Sequence, residues 1–245
     1  MSAPRFYVAP HEATLASGVE LALPAGVARH ALQVLRLRAG DAMVLFDGRG
    51  GEYPATLLAS GKEARASVGT HVDVERETPH ATTLVQGVVA ADVMDWIVRK
   101  AVELGARAIQ PVVAARSQRA PAERLDRRTT RWQQIAVAAC EQCGRNRIAY
   151  VEPIVPLSEW LARRSDLTDA ALLHPGASTS LPALARVAVP SMVIIGPEGG
   201  FDDAEVRAAI ARGARVAHLG ARVLRAETAA LAALATINAL AGDAR

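Results

Sequence analysis

The sequence has 245 residues, 51% hydrophobic and 22% charged, enough to bury one large or two ordinary globular cores and unlike a disordered or low-complexity chain. Aromatic residues make up only 4%, which argues against a protein that reads nucleic acid mainly by stacking bases on aromatic platforms. The net charge of +3 is unevenly spread: residues 1–78 carry eight Lys/Arg against nine Asp/Glu, whereas residues 107–147 carry nine Arg against three Asp/Glu.

The N-terminal segment MSAPRFYVAP lacks the apolar run of a secretion signal, so a cytoplasmic location is expected. Arg5 to Ala9 reads as a short strand. Pro24 then opens an amphipathic helix with Ala28, Ala31, Leu32 and Leu35 on one face. Its polar positions include His30, read as a packing or surface residue, and Arg36 and Arg38, candidates for RNA phosphates. Gly40-Asp41 and Asp47-Gly48 punctuate two apolar runs, Met43–Phe46 and Tyr53–Leu58, and residues 64–74 supply one or two further strands. Short strands with tight turns predict a small β-barrel over residues 1–76. The charged stretch at 75–82, with Pro79, reads as a linker.

From residue 80 to 245 strands alternate with helices, which predicts an α/β domain built on a mainly parallel sheet. Thr82–Ala90 is strand-like and Asp92–Leu104 helical, with Val93, Trp96, Ile97, Val98 and Ala101 as a core stripe and Gly105 as its terminator. Ala108–Ala114 is a strand leading to Arg116, and a long helix runs from about 122 to 143. The arginines of 107–147 form a candidate nucleic-acid face, because guanidinium groups pair bidentately with phosphate; a solvated helix surface is the bland alternative. Cys140 and Cys143 have no second pair or nearby histidine, so they read as packing thiols. Tyr150–Val155 is extended, Ser158 starts a short helix, and Ala170–Leu173 is a strand ending at His174. The uncharged stretch 228–242 is too short to span a membrane and reads as a buried or interface helix.

The stretch from Met192 to Thr228 carries the strongest functional signal. Met192–Ile195 is a buried strand that meets the turn Gly196-Pro197-Glu198-Gly199-Gly200. Asp202 and Glu205 then form a capping-box pattern before a helix, and Val216–Leu219 ends in a second turn at Gly220. Two glycine turns at strand ends let backbone N–H and C=O groups approach a ligand. Carboxylates occupy the helix N-terminus, and neither a P-loop nor a dinucleotide fingerprint is present, so a nucleoside-like ligand with little phosphate is expected.

IIGPEGGFDDAEV at 194–206 and LGARVLRAETAA at 219–230 resemble the glycine loops of SPOUT-class methyltransferases. More narrowly, they are similar to the ribosomal RNA small subunit methyltransferase E family, which methylates uridine N3 in 16S ribosomal RNA. HALQVLRLRAGD at 30–41, KAVELGARAIQPVVAARSQ at 100–118 and RWQQIAVAACEQCGR at 131–145 agree with it. The resemblance implies a PUA-like N-terminal β-barrel, a SPOUT α/β domain with a trefoil knot, and a homodimer acting on 16S ribosomal RNA or the small subunit. It also implies S-adenosylmethionine bound by Leu173, His174, Gly196, Glu198, Gly199, Gly200, Leu219, Gly220, Leu224 and Arg225.

Within that reading Arg225 supplies positive charge to the uracil anion and Glu198 meets a ligand amine or takes a proton. Arg36, Arg38, Arg116 and Arg145 are assigned to RNA. The sulfonium methyl is electrophilic already, so no metal is assigned. Other readings are a non-catalytic RNA-binding assembly factor, a SPOUT methyltransferase acting on another RNA, and a doubly wound nucleotide-dependent enzyme.

Overall fold

The computed structural model describes residues 3–59, 64–117 and 122–243. Gln118 of the central block and Arg119 of the basic segment lie outside the described residues. The chain forms two compact units, one of Met1–Glu77 with Cys140–Ile148, the other of Thr78–Ala139 with Ala149–Arg245.

The first unit contains β1 (Arg5–Tyr7), β2 (Glu20–Ala22), α1 (Ala25–Arg29), β3 (Ala42–Phe46), β4 (Tyr53–Ala59) and β5 (Arg65–Val68). They make a five-stranded sheet in the order β1-β3-β4-β5-β2, antiparallel except for the β1–β3 pair. Alternation along the strands buries Met43, Leu45, Leu57, Ala66 and Val68 against Phe6, Val27 and Ala31. The three-residue β2 is too short to give a sequence signal.

The expected helix after Pro24 is shorter than its pattern suggests. α1 gives way to a π-helical turn, His30–Val34, in which Leu35 N–H donates to the His30 carbonyl at 3.0 Å. This wider turn rotates Leu35 off the buried face, leaving it 43% exposed, and Arg36 follows in the left-handed region at φ 57°.

Residues 140–148 join this unit through polar contacts. Glu141 accepts the Tyr7 N–H at 2.9 Å, Asn146 Nδ2 donates to the Val74 carbonyl at 2.7 Å, and Glu52 gathers Arg5 at 2.5 Å and Arg76 at 3.1 Å.

The second unit begins with β6 (Thr83–Gly87), α2 (Ala91–Glu103), β7 (Ala108–Val113), α3 (Ala122–Cys143), β8 (Tyr150–Val151) and β9 (Val155–Pro156). It continues with α4 (Leu157–Ala162), β10 (Ala170–Leu173), α5 (Leu181–Val187), β11 (Met192–Ile195), α6 (Asp203–Ile210), β12 (Arg215–Ala217) and α7 (Ala226–Ala241). The sheet runs β12-β10-β11-β6-β7-β8, with β9 also paired to β7, and every pairing is parallel.

Both sheet faces are covered, as an all-parallel sheet requires. Val85, Leu172 and Ile194 pack with Trp160 and Leu161 of α4 and Ala209 of α6. The alternate residues Leu84, Ala171 and Val193 are also fully buried, on the side where α7 meets β11, α2 and α5. In α2 the buried stripe is Met94, Ile97, Val98, Ala101 and Val102. Trp96 is corrected: it is 39% exposed, two residues or roughly 200° around the helix from Met94. Among the described residues no helix is long and apolar enough to cross a membrane.

Candidate functional site

Strand order places the motifs. β10 lies between β11 and β12, so the turn after β11, the turn after β12 and the residues after β10 emerge side by side at the carboxyl end of one parallel sheet. They enclose a cavity of about 470 Å³. All ten residues expected at a cofactor line it: Leu173, His174, Gly196, Glu198, Gly199, Gly200, Leu219, Gly220, Leu224 and Arg225. A second cavity, of about 540 Å³, offers two carboxylates, Asp202 and Glu205, both already engaged in the helix cap.

The first turn is held by its neighbours. Gln86 Nε2 donates to the Gly196 carbonyl at 3.3 Å, and Arg116 donates to the Gly199 carbonyl at 2.9 Å. Glu198 accepts the Ala90 N–H at 3.1 Å through Oε1. Asp202 and Glu205 form the full capping box, 2.8 and 2.9 Å, which ends the loop where α6 begins.

The glycines serve two purposes. A Cβ on Gly199 would stand 3.0 Å from Arg116 Cβ, so this residue is small because the protein packs against it. Gly200 and Gly220 take φ of 68° and 107°, and nothing lies within 4 Å of the position a Cβ would occupy. Those two leave open space beside backbone polar groups.

Two histidines sit at adjacent strand ends. His174 N–H donates to the Ala217 carbonyl at 2.9 Å, one step beyond the Leu173–Ala217 pair, and His218 directly follows Ala217, its own backbone bridged to Ser180. His174 Nδ1 accepts the Gly176 N–H at 3.1 Å, and His218 Nδ1 accepts the Gly220 N–H at 2.9 Å. Both line the cavity. His218 was missed from sequence; the signal was the His-x-Gly pattern repeated at 174–176 and 218–220.

Arg116, Arg222 and Arg225 bring positive charge to the cavity lining, against Glu198. Arg225 is the N-cap residue of α7, and its exposed guanidinium has no ion-pair partner among the described residues.

The four arginines expected at RNA differ. Arg36 and Arg38 are exposed on the turn that follows the π-helical segment, with the Arg38 N–H bonded to Asp41 at 2.7 Å. Arg116 reaches the cavity and spends one N–H on Gly199. Arg145 is corrected: it is 3% exposed and donates to Glu77 through Nε at 3.0 Å and Nη2 at 2.5 Å. Burial pulls its guanidinium pKa down, and the Glu77 carboxylate more than offsets this and keeps it charged. A guanidinium so enclosed is a structural partner of Glu77, not a phosphate contact.

The family described as RNA methyltransferase domain matches residues 76–238, and that described as RNA methyltransferase PUA domain matches residues 23–67. A ribosomal RNA small subunit methyltransferase E from Synechocystis is 36% identical over 219 residues, covering 86% of this chain and 70% of that protein. One from Bacillus subtilis is 30% identical over 219 residues, covering 85% and 86%. The crystal structure of a ribosomal RNA small subunit methyltransferase E from Neisseria gonorrhoeae bound to S-adenosyl methionine aligns with a TM-score of 0.88 at 35% identity, over 98% of both chains. A putative methyltransferase from Legionella pneumophila, in complex with the bound cofactor, aligns with a TM-score of 0.89 at 32% identity, again over 98% of both chains.

Proposed function

The chain belongs to the ribosomal RNA small subunit methyltransferase E family, and from that premise we propose that it transfers a methyl group from S-adenosylmethionine to N3 of a uridine in 16S ribosomal RNA. The observation that carries this reading is that both glycine turns and His174 line one cavity. The residues suit the cofactor: open space beside the backbone at Gly200 and Gly220 admits a flat nucleoside, and Glu198 faces the cavity as an acceptor for an amine.

Bound there, the cofactor supplies an electrophilic methyl group. The protein's task is the uridine, whose N3 carries a proton and attacks only as that proton leaves. Arg225, cationic and without an ion-pair partner among the described residues, stabilises the negative charge that develops on O2 or O4. Glu198 has one oxygen on Ala90 N–H and a second available to a ligand amine or to the N3 proton. Arg116 holds Gly199, so the first turn keeps its shape while nucleophile and methyl align. Arg36, Arg38 and the outward N–H groups of Arg116 are assigned to RNA phosphates.

The remaining features belong to the same proposal. A domain of residues 1–76 binds RNA and one of 80–245 transfers the methyl group. The trefoil knot is compatible with the parallel order β12-β10-β11-β6. A homodimer with the site shared between copies suits Val223, 79% exposed on the second glycine loop. Ribosomal RNA as substrate suits a cytoplasmic protein.

The test is incubation of the purified chain with labelled S-adenosylmethionine and small ribosomal subunits lacking the modification. Label in the RNA is expected. Tight S-adenosylhomocysteine binding without transfer would move the target to another RNA, and neither binding nor transfer would retire the enzymatic reading.

A further inference from the structure

The histidine pair at the ends of β10 and β12 has a defined proton arrangement. Each Nδ1 is the acceptor of a glycine N–H two residues on, 3.1 Å for His174 and 2.9 Å for His218. A neutral imidazole whose Nδ1 accepts must carry its proton on Nε2. Neither Nε2 has a hydrogen-bond partner among the described residues, and both histidines are among the residues lining the cavity. Two neighbouring strand ends therefore present two N–H donors to one space.

Two donors in one cavity match a group that only accepts. Of the parts of S-adenosylmethionine, adenine and ribose both donate and accept, the amine only donates, and the carboxylate only accepts. Glu198, the carboxylate in the lining, suits the amine instead. We propose that His174 and His218 together bind the methionyl carboxylate of the cofactor through their Nε2–H groups, with the neighbouring glycine turns holding both rings in the required tautomer. This rests on the reading that S-adenosylmethionine occupies the cavity.

The geometry supplies its own controls. Asparagine at either position keeps an acceptor for the glycine N–H two residues on, as in an Asx turn, but has no donor at the place of Nε2. Glutamine places an amide N–H near the position of Nε2. The experiment is calorimetric titration of the full chain with S-adenosylhomocysteine and with its decarboxylated analogue, S-adenosyl-3-thiopropylamine, which lacks only the carboxylate.

The wild-type chain should bind the decarboxylated analogue about tenfold or more weakly than S-adenosylhomocysteine, as loss of hydrogen bonds to a charged group implies. In the H174N/H218N double variant S-adenosylhomocysteine should weaken to about the level of the analogue, while the analogue keeps its wild-type affinity to within about twofold. The H174Q/H218Q variant should restore part of the gap. A wild-type gap that persists undiminished in the asparagine variant would place the carboxylate elsewhere and overturn the inference. Equal weakening of both ligands would assign the pair to ribose or adenine and overturn it too. Failure of the wild-type chain to bind either ligand would instead remove the cofactor reading beneath it.

Discussion

Glu205 Oε1 accepts the backbone N–H of Ala115 at 2.7 Å, while its Oε2 accepts that of Asp202 at 2.9 Å. One carboxylate thus closes the capping box of α6 and pins the segment after β7. The next residue, Arg116, holds the Gly199 carbonyl, so the helix cap and the first glycine turn are mechanically connected. Glu205→Ala should cost about 1–2 kcal/mol, the sum of a cap and an added hydrogen bond, and Asp202→Ala about 1 kcal/mol. Denaturant midpoints check this. A Glu205→Ala loss smaller than that of Asp202→Ala would contradict the bridging role.

That cap was legible in the sequence because it is local: Asp202 and Glu205 are three residues apart and bond to each other's backbone. The strands before the glycine turns were legible for the same reason, as short apolar runs ended by residues of special backbone freedom. What failed depended on distant chain. Arg145 looked like a surface cation until Glu77, 68 residues away, was found beside it. Trp96 fitted a helical stripe, but Met94 and Val102 complete the buried face. α5 was overlooked because seven residues, including a proline, carry little periodicity. His218 was passed over because β12, which it follows, meets β10 only in the folded sheet.

Arg225→Ala should lower the turnover number by about a hundredfold or more, the scale for removing one charge stabiliser at a reacting centre. S-adenosylhomocysteine affinity should change by no more than a few-fold, because the proposed charge acts on uracil. Single-turnover rates beside equilibrium binding separate the two. An unchanged turnover number would remove Arg225 from the mechanism.

Arg145→Ala should destabilise the first unit by about 3 kcal/mol, since it leaves Glu77 without its cation in a partly buried place. The folded fraction of the variant should bind RNA with the wild-type dependence on salt. A shallower salt slope with unchanged stability would restore Arg145 as a phosphate contact.

Two carboxyls in the first unit give opposite pH signatures. Burial raises the Glu52 carboxyl, but hydrogen bonds from Arg5, Arg76 and Asn146 outweigh it and leave the pKa below the ordinary glutamate value. A depressed folded pKa gives stability that is present above the unfolded pKa and lost as pH falls through the folded one. Glu52→Gln should therefore be less stable than wild type near neutrality, with the difference shrinking below about pH 4. Burial raises the Glu141 carboxyl, and the Tyr7 N–H only partly opposes this. Its contribution is present below the unfolded pKa and lost as pH rises through the folded one, so Glu141→Gln should gain on wild type toward neutral pH. Midpoints measured across pH test both signs.

The position of the transferred methyl decides whether the chain is a uridine-N3 methyltransferase. After labelled methyl transfer to unmodified small subunits, the RNA is digested to nucleosides and the labelled product separated by chromatography and mass. One labelled nucleoside, 3-methyluridine, from a single site is expected. Label on a ribose oxygen, on uracil C5 or on another base would contradict it.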